Sequence, residues 1–352
     1  MDRGKEIPTV AESIRDATAQ AMREDDSVIL FGLGVNDPGR VFGTTSGLVE
    51  EFGIERVFET PTAENAMMGV GVGAALGGFR PIITHQRADF FYLALDQLVN
   101  SAAKWRFMFG GQFSVPLVIR LIVGRGWGQG PTHSQNLATW LSHIPGLKVV
   151  YPSNSVNAGT LLLEAISDNS PVVYIEDRWL HSHKSRGSQN GDLEMGKPLL
   201  RRSGDDFTVV TYGLMVSEAL KASEILEGYG VRIDLFDLGT LTSANFDLID
   251  QSLRKTKRLL FVEAAPDNFS FGAGAIGALV TKFPDHANIS SLDLLGMPHI
   301  PVPTSFGATA KIYPDATQIA LRIFEKLGLS DFPVPGSSSE HDINESGFEG
   351  PF

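Results

Sequence analysis

Glu59-Thr60-Pro61-Thr62-Ala63-Glu64-Asn65-Ala66-Met67-Met68-Gly69-Val70-Gly71-Val72-Gly73-Ala74-Ala75-Leu76-Gly77-Gly78-Phe79-Arg80-Pro81 is the stretch on which the fold turns. Arg56 to Glu59 has the pattern of a short strand, Thr60-Pro61-Thr62 that of a turn with Thr62 as N-cap, and Ala63 to Leu76 that of a helix without a polar face. Such a helix is expected to be buried all round, and its glycines and alanines let other backbones come close. Its one carboxylate, Glu64, falls in the first turn, where the helix dipole favours the charged form. The carboxyl end of a strand is where open α/β sheets place ligand chemistry. The plainer alternative for Glu64 is a first-turn acid facing water.

Working outward, the same rhythm repeats. Upstream lie a helix over 9–23, a strand over 28–31 and a short helix over 46–52. Downstream come a strand over 81–84, a helix over 96–106, an apolar central strand over 116–122, a strand over 147–151, a helix over 156–167 and a strand over 172–176. After a polar connector at 182–204, a second βα series runs from 207 to a last helix at 315–327. Alternation of this kind predicts an α/β protein of two doubly wound parallel sheets. The domains are expected at 1–190 and 191–329, followed by a Pro-, Ser-, Gly- and acid-rich flexible tail over 330–352.

Composition excludes several classes. Among 352 residues, 29 Lys and Arg face 41 Asp and Glu, a formal net charge of −12 with no long basic run, which speaks against nucleic acid or anionic membrane as partner. The chain has no cysteine, hence no disulfide, thiolate metal site or cysteine nucleophile. With no apolar run long enough to span a bilayer and no signal-peptide core at the N-terminus, it is expected to be cytoplasmic.

One motif competes with the main reading. Gly272-Ala273-Gly274-Ala275-Ile276-Gly277 fits the G-x-G-x-x-G dinucleotide pattern, with Asp293 further on. Eight residues separate its first glycine from the strand ending at Glu263, however, whereas the fingerprint needs a tight turn directly off the strand. Close helix packing is the simpler account. No G-x-x-x-x-G-K-[ST] loop and no H-E-x-x-H helix is present. The Gly-rich segment Gly124 to Pro131 is suited to bringing backbone close to a ligand.

Several motifs in register carry a resemblance: Thr60-Pro61 with Glu64, Gly71-Val72-Gly73-Ala74-Ala75, Asp96-Gln97 with Asn100 and Ala102-Ala103-Lys104, Gly110-Gly111-Gln112, His133-Ser134-Gln135, and Pro145-Gly146-Leu147-Lys148-Val149-Val150. In this order and spacing, over about 30–180 and more loosely to about 328, the chain resembles the β subunits of thiamine-diphosphate-dependent E1 components of 2-oxo acid dehydrogenases. The resemblance implies a transketolase-like pyrimidine-binding domain followed by a transketolase C-terminal-like domain. It also implies that Glu64 hydrogen-bonds the cofactor's aminopyrimidine, that Phe90 lies against that ring, and that His133 is the active-site histidine assisting proton or acyl transfer. On composition alone Phe90 reads equally as a core aromatic. A potassium ion held by the main-chain carbonyls of Leu117, Ala165, Ile166, Asp168 and Ser170 is a further family feature.

The Gly-Asp-Gly motif that binds the cofactor's diphosphate through Mg²⁺ is missing from the sequence. The resemblance therefore implies an α subunit carrying it, in an α2β2 heterotetramer that decarboxylates a small-molecule 2-oxo acid and passes the acyl unit to lipoamide on an acyltransferase or to another acceptor. Two departures bear on substrate. Leu33-Gly34 stands where the family has an acidic pair, and Arg87 stands where a large apolar residue is usual. An arginine there favours an anionic or polyhydroxy ligand if it reaches the pocket; the alternative is an arginine turned to solvent or to a partner. A split transketolase or acyloin synthase acting on a sugar-like substrate, and a non-catalytic partner subunit, are the alternative functions.

Overall fold

The computed structural model describes residues 7–124, 126, 128–184, 192–242, 244–282 and 289–329. These fall into two compact units, one drawn from residues 7–124 and 132–184, the other from 126, 128–131, 192–242, 244–282 and 289–329. The expected tail over 330–352 lies outside the described residues.

In the first unit α1 (Val10–Glu24) leads to β1 (Val28–Gly32), α2 (Leu48–Phe52), β2 (Val57–Glu59), α3 (Glu64–Leu76) and β3 (Arg80–His85). A 3₁₀ turn over Ala88–Ala94 and a widened helical turn over Gln97–Ala102 run into α4 (Ala103–Met108), in place of the single regular helix expected there. β4 (Val118–Val123), α5 (Ala138–Ser142), β5 (Lys148–Val150), α6 (Ser155–Ser167) and β6 (Val172–Asp177) complete the unit. α1 begins with a capping box, Thr9 Oγ1 accepting from the Glu12 N–H while the Glu12 carboxylate accepts from the Thr9 N–H. The start of α3 differs from expectation: its N-cap is Ala63, without a side-chain cap, and Thr62 lies one residue outside.

All six strands pair in parallel, in the order β2-β1-β3-β4-β6-β5. α3 therefore leaves β2 on one side of β1 and delivers the chain to β3 on the other, so the strand order reverses at β1/β3. A crevice opens beyond the carboxyl ends of the strands at such a switch point. Two glycines permit the geometry. At Gly32, φ is +145° and a Cβ would lie 2.3 Å from the Thr84 carbonyl oxygen; at Gly71, on the inner face of α3, it would lie 2.2 Å from Ile83 Cδ1. The expectation that α3 is buried all round needs correction. Glu64, Met67, Met68, Gly71, Val72 and Ala75 are buried, but Val70 is 61 % exposed and Ala66 and Gly73 lie on the same open side.

The central strand β4 carries a charge amid its apolar run. Arg120, fully buried, donates from Nε and Nη2 to Glu176 on β6 at 2.5 and 2.9 Å, and Nη2 also reaches Thr44 Oγ1 at 2.7 Å. His181 Nε2 lies 3.0 Å from the same carboxylate. Burial alone would raise the Glu176 pKa; Arg120 and His181 outweigh it and hold it at about 2.

The second unit contains β7 (Leu199–Arg202), β8 (Phe207–Thr211), α7 (Met215–Glu227), β9 (Ile233–Asp237), α8 (Asp247–Thr256), β10 (Arg258–Pro266), α9 (Phe271–Lys282), β11 (Ser291–Met297), α10 (Phe306–Thr309) and α11 (Ala316–Leu327). Its sheet order is β11-β10-β8-β9-β7, parallel except for the edge strand β7, which pairs antiparallel with β9 and has no counterpart in the sequence reading. No helix among the described residues is long and apolar enough to cross a membrane.

Gly32→Ala should lower the unfolding free energy of the chain by about 1–3 kcal/mol, because both its backbone angle and its contact with the Thr84 backbone oppose a side chain. Gly274→Ala, in the exposed side of α9 where a Cβ meets nothing within 4 Å, should be neutral or stabilise by up to about 1 kcal/mol. Urea midpoints of the two variants check the contrast.

Candidate active site at the switch point of the first sheet

Glu64 follows the carboxyl end of β2, and Arg87 and Phe90 follow that of β3, on one rim of the first sheet, whereas Leu117 precedes β4 and the residues from Ala165 to Ser170 precede β6. Gly34 N–H and Asn36 N–H donate to the two oxygens of Glu59, at 2.7 and 3.1 Å, and so tie the loop after β1 to the end of β2. Glu59 thus places a carboxylate beside Leu33-Gly34, the position at which the acidic pair is lacking. Leu33 N–H closes the other side on the Thr84 carbonyl at 3.2 Å.

Glu64 opens α3 on this rim. It is 6 % exposed, while its neighbours Thr62, Ala63, Asn65 and Ala66 are exposed, so most of its side chain is withdrawn from water. No hydrogen bond or ion pair from a described residue reaches its carboxylate. A carboxylate that keeps its oxygens free of partners and open to the surface can accept from a donor outside the chain. The aminopyrimidine N–H of thiamine diphosphate is a donor of that kind, so the residue present fits the cofactor that the resemblance implies.

The turn 88–94, packed against α3, carries the next groups. Phe90 is 42 % exposed, which rules out its reading as a core aromatic, and its ring meets that of His133 edge-on with centroids 5.4 Å apart. Thr132 Oγ1 lies 3.1 Å from His133 Nδ1. Asp89, buried beside Phe90, fixes the histidine loop: its Oδ1 accepts from the Gln135 backbone N–H at 3.2 Å and from Gln135 Nε2 at 2.8 Å. Asp89 and Glu59 were not assigned this positioning role from sequence. An acid directly beside the site aromatic, and an acid ending a strand, were the available signals.

Arg87 is half-buried. Its Nη1 donates to the Gln86 carbonyl at 2.8 Å, and its guanidinium lies over the Phe42 ring, 5.1 Å from the centroid. The expected potassium ligands are engaged otherwise. Arg80 Nη1 donates to the carbonyls of Ile166 and Asp168 at 2.9 and 3.1 Å, and the Leu117 carbonyl accepts from Val172 N–H at 2.8 Å. A guanidinium thus lies at two of the five carbonyls expected to hold potassium. Among the described residues no cluster of three or more His, Asp or Glu side chains is arranged to hold a metal.

Two other expectations resolve inside the second unit. In Gly124 to Pro131, Gly128 N–H donates to the Thr304 carbonyl at 2.9 Å, and a Cβ on Gly126 or Gly130 would strike Thr309 or Thr304. The close approach of this loop is to its own chain. The G-x-G-x-x-G residues sit within α9, where only Gly272 is required by packing, a Cβ there falling 2.5 Å from Phe261; Gly274 and Gly277 face open space. Gly272 N–H already donates to Glu263 at 3.1 Å, so the chain's own carboxylate sits at this helix start, where a dinucleotide phosphate would have to bind.

Residues 7–182 match the transketolase pyrimidine-binding domain, and residues 196–319 match the transketolase C-terminal domain. Fold and domain order thus define a transketolase-type protein. A split-gene transketolase, solved as an inactive β4 tetramer, has this fold with a TM-score of 0.75 at 18% identity, covering 92% of this chain and 99% of that one. The pyruvate dehydrogenase E1 component subunit beta of Rhizobium meliloti is 35% identical over 88% of this chain and 68% of its own. The acetoin:2,6-dichlorophenolindophenol oxidoreductase subunit beta of Cupriavidus necator is 37% identical over 88% of this chain and 94% of its own. The chain belongs to this family of thiamine-diphosphate-dependent E1 β-type subunits.

The rim also carries a pH signature. His85, fully buried with both ring nitrogens unpartnered, has its pKa pushed by burial from 6.5 to about 3. Between those values the unfolded chain takes up a proton that the folded chain refuses, so acidification favours unfolding, by at most about 1.4 kcal/mol per pH unit. Glu176 adds to the loss only as pH falls from 4.5 towards about 2. His85→Leu should therefore flatten the fall in stability between pH 6.5 and 4.5, as read from denaturant midpoints across that range.

Proposed function

We propose that this chain is the cofactor-activating β subunit of a two-chain enzyme that decarboxylates a 2-oxo acid and transfers the acyl unit to lipoamide or another acceptor. Glu64 carries this reading: a largely buried residue at the switch point whose carboxylate has no partner among the described residues. Thiamine diphosphate, when bound, supplies a nucleophilic carbon and the electron sink that decarboxylation needs. Glu64 would accept a hydrogen bond from the aminopyrimidine and hold the proton exchanged with it. Phe90, exposed after β3, would lie against that ring. His133, braced by Phe90 and by the Asp89–Gln135 contacts, donates or removes a proton at the substrate oxygen during acyl transfer.

The other half of the cofactor falls to a partner. Because the sequence has no Gly-Asp-Gly, the diphosphate and Mg²⁺ are assigned to an α subunit, and the assembly to an α2β2 heterotetramer with sites at α–β interfaces. The open side of α3, with Val70 exposed between Ala66 and Gly73, supports a covering chain at this helix.

In the complex reconstituted with its α chain, Glu64→Gln should keep the fold and lower turnover by roughly 10²–10⁴. Near-normal turnover removes Glu64 from the mechanism. Calorimetric titration of the isolated chain with thiamine diphosphate and Mg²⁺ should show no tight binding; stoichiometric binding without the partner would overturn the split site.

A further inference from the structure

Gly34, one of the two residues standing in place of the family's acidic pair, has its side-chain space filled from the neighbouring strand. It lies just past β1 with φ of +78°, and a Cβ on it would fall 1.7 Å from Nε2 of Gln86 and 2.7 Å from Cδ of the same side chain. Gln86 is the first residue past β3, so its carboxamide lies across the ends of the two strands between which the sheet order reverses. That is where the crevice of such a sheet opens. Nε2 of Gln86 donates to Asp37 Oδ2 at 3.2 Å. Glycine is required at 34 twice over, for its backbone angle and for the room it leaves to the amide.

The loop that carries Asp37 is held from several sides. Besides the bonds of Gly34 and Asn36 to Glu59, Asp37 N–H donates to the Gly34 carbonyl at 3.3 Å and Arg40 N–H to the Asp37 carbonyl at 2.8 Å, while Thr45 Oγ1 donates to the Val35 carbonyl at 3.0 Å. Arg40, Val41 and Phe42 follow with φ of +46°, +48° and +58°, three successive non-glycine residues in the left-handed region. Such a run is strained and persists only when its surroundings impose it. Thr44 does so here, donating from Oγ1 to the Val41 carbonyl at 2.8 Å while accepting from Arg120. Asp37 is therefore a positioned acceptor, and the amide of Gln86 takes its orientation from it.

The pair keeps hydrogen-bonding capacity in reserve. One N–H and Oε1 of Gln86, and Oδ1 of Asp37, have no partner among the described residues. Gln86 is half-buried and Asp37 exposed, so these atoms lie at the mouth of the crevice and not in the core. Glu59 does not compete for them, since both of its oxygens are engaged by backbone N–H groups. The chemistry left open selects its ligand. A carboxylate or phosphate placed here would meet the negative charge of Asp37, and a methyl group would satisfy neither the amide nor the acid. A hydroxyl group both donates and accepts at one atom, which matches an amide that does both beside an acid that only accepts.

We propose that Gln86, admitted by Gly34 and oriented by Asp37, is a specificity residue that hydrogen-bonds a hydroxyl group of the substrate. This inference rests on the reading of the rim as the thiamine-diphosphate site and deepens it. The preferred 2-oxo acid, or the aldehyde that receives the acyl unit, carries a hydroxyl beside its carbonyl.

The test uses pairs of substrates that differ only in that hydroxyl. In the complex reconstituted with its α chain, kcat/KM is compared for hydroxypyruvate against pyruvate as donors, and for glycolaldehyde against acetaldehyde as acceptors. The hydroxylated member should be preferred roughly tenfold or more in one of the two arms, and that arm identifies which substrate carries the group. Gln86→Met, similar in length but without the amide's donor and acceptor, should bring the preference to within about threefold of unity, with urea midpoints showing that the variant is folded. A merely structural role for Gln86 would lower both members of a pair alike and leave their ratio in place. Turnover without preference in either arm, or a preference that Gln86→Met leaves unchanged, overturns the hydroxyl site and leaves the thiamine reading standing. Turnover of neither 2-oxo acid overturns the thiamine reading and the hydroxyl site with it.

Discussion

The structure depends on one crossover. Because β2 and β3 flank β1, the helix that joins them must pass over the sheet, and α3 passes close only because Gly71 leaves room for Ile83. The same crossover brings its first residue, Glu64, to the carboxyl-end rim. Gly32 completes the arrangement by letting the end of β1 touch the backbone of Thr84. Backbone sterics therefore place the carboxylate.

A second feature of the rim is how few of its groups are independent. Glu59 holds the loop after β1, Asp89 holds the loop of His133, and Thr44 links the strained segment at Phe42 to Arg120 in the middle of the sheet. Arg120 and Glu176 are buried, and removing one alone would strand the other's charge, at a cost typically of about 3–5 kcal/mol. This pair is weak evidence for stability. Its clearer consequence is positional, since it holds Glu176 against Arg120 and His181.

Most of the alternation of strands and helices was legible in the sequence, since helical and strand periodicities are local and the elements are short. The elements it missed or smoothed over, the antiparallel edge strand β7, the 3₁₀ turn over 88–94 and the widened turn over 97–102, have weak local signals and are decided by what they pack against. Helix α3 was read correctly as apolar, yet composition could not reveal that one of its sides stays open within the chain. That is a property of how much sheet is available to cover it.

For the site, the sequence by itself determined the chemical inventory: a first-turn carboxylate in Glu64, an aromatic at Phe90, a histidine at His133, an arginine at Arg87, no cysteine and no Gly-Asp-Gly. Tertiary structure decided which of these are buried, which touch and which are already satisfied. Glu64 is 6 % exposed and Phe90 42 % exposed, a difference that residue type does not foretell. Arg120 was hidden in an apolar run because its partner Glu176 lies 56 residues away. Two of the five carbonyls assigned to potassium, those of Ile166 and Asp168, accept from Arg80, and the glycines resembling a dinucleotide motif start a helix beside Glu263. Residue type fixes what a group can donate, accept or stack upon; only the folded chain fixes its partner, because desolvation and hydrogen bonding act through space rather than along the sequence.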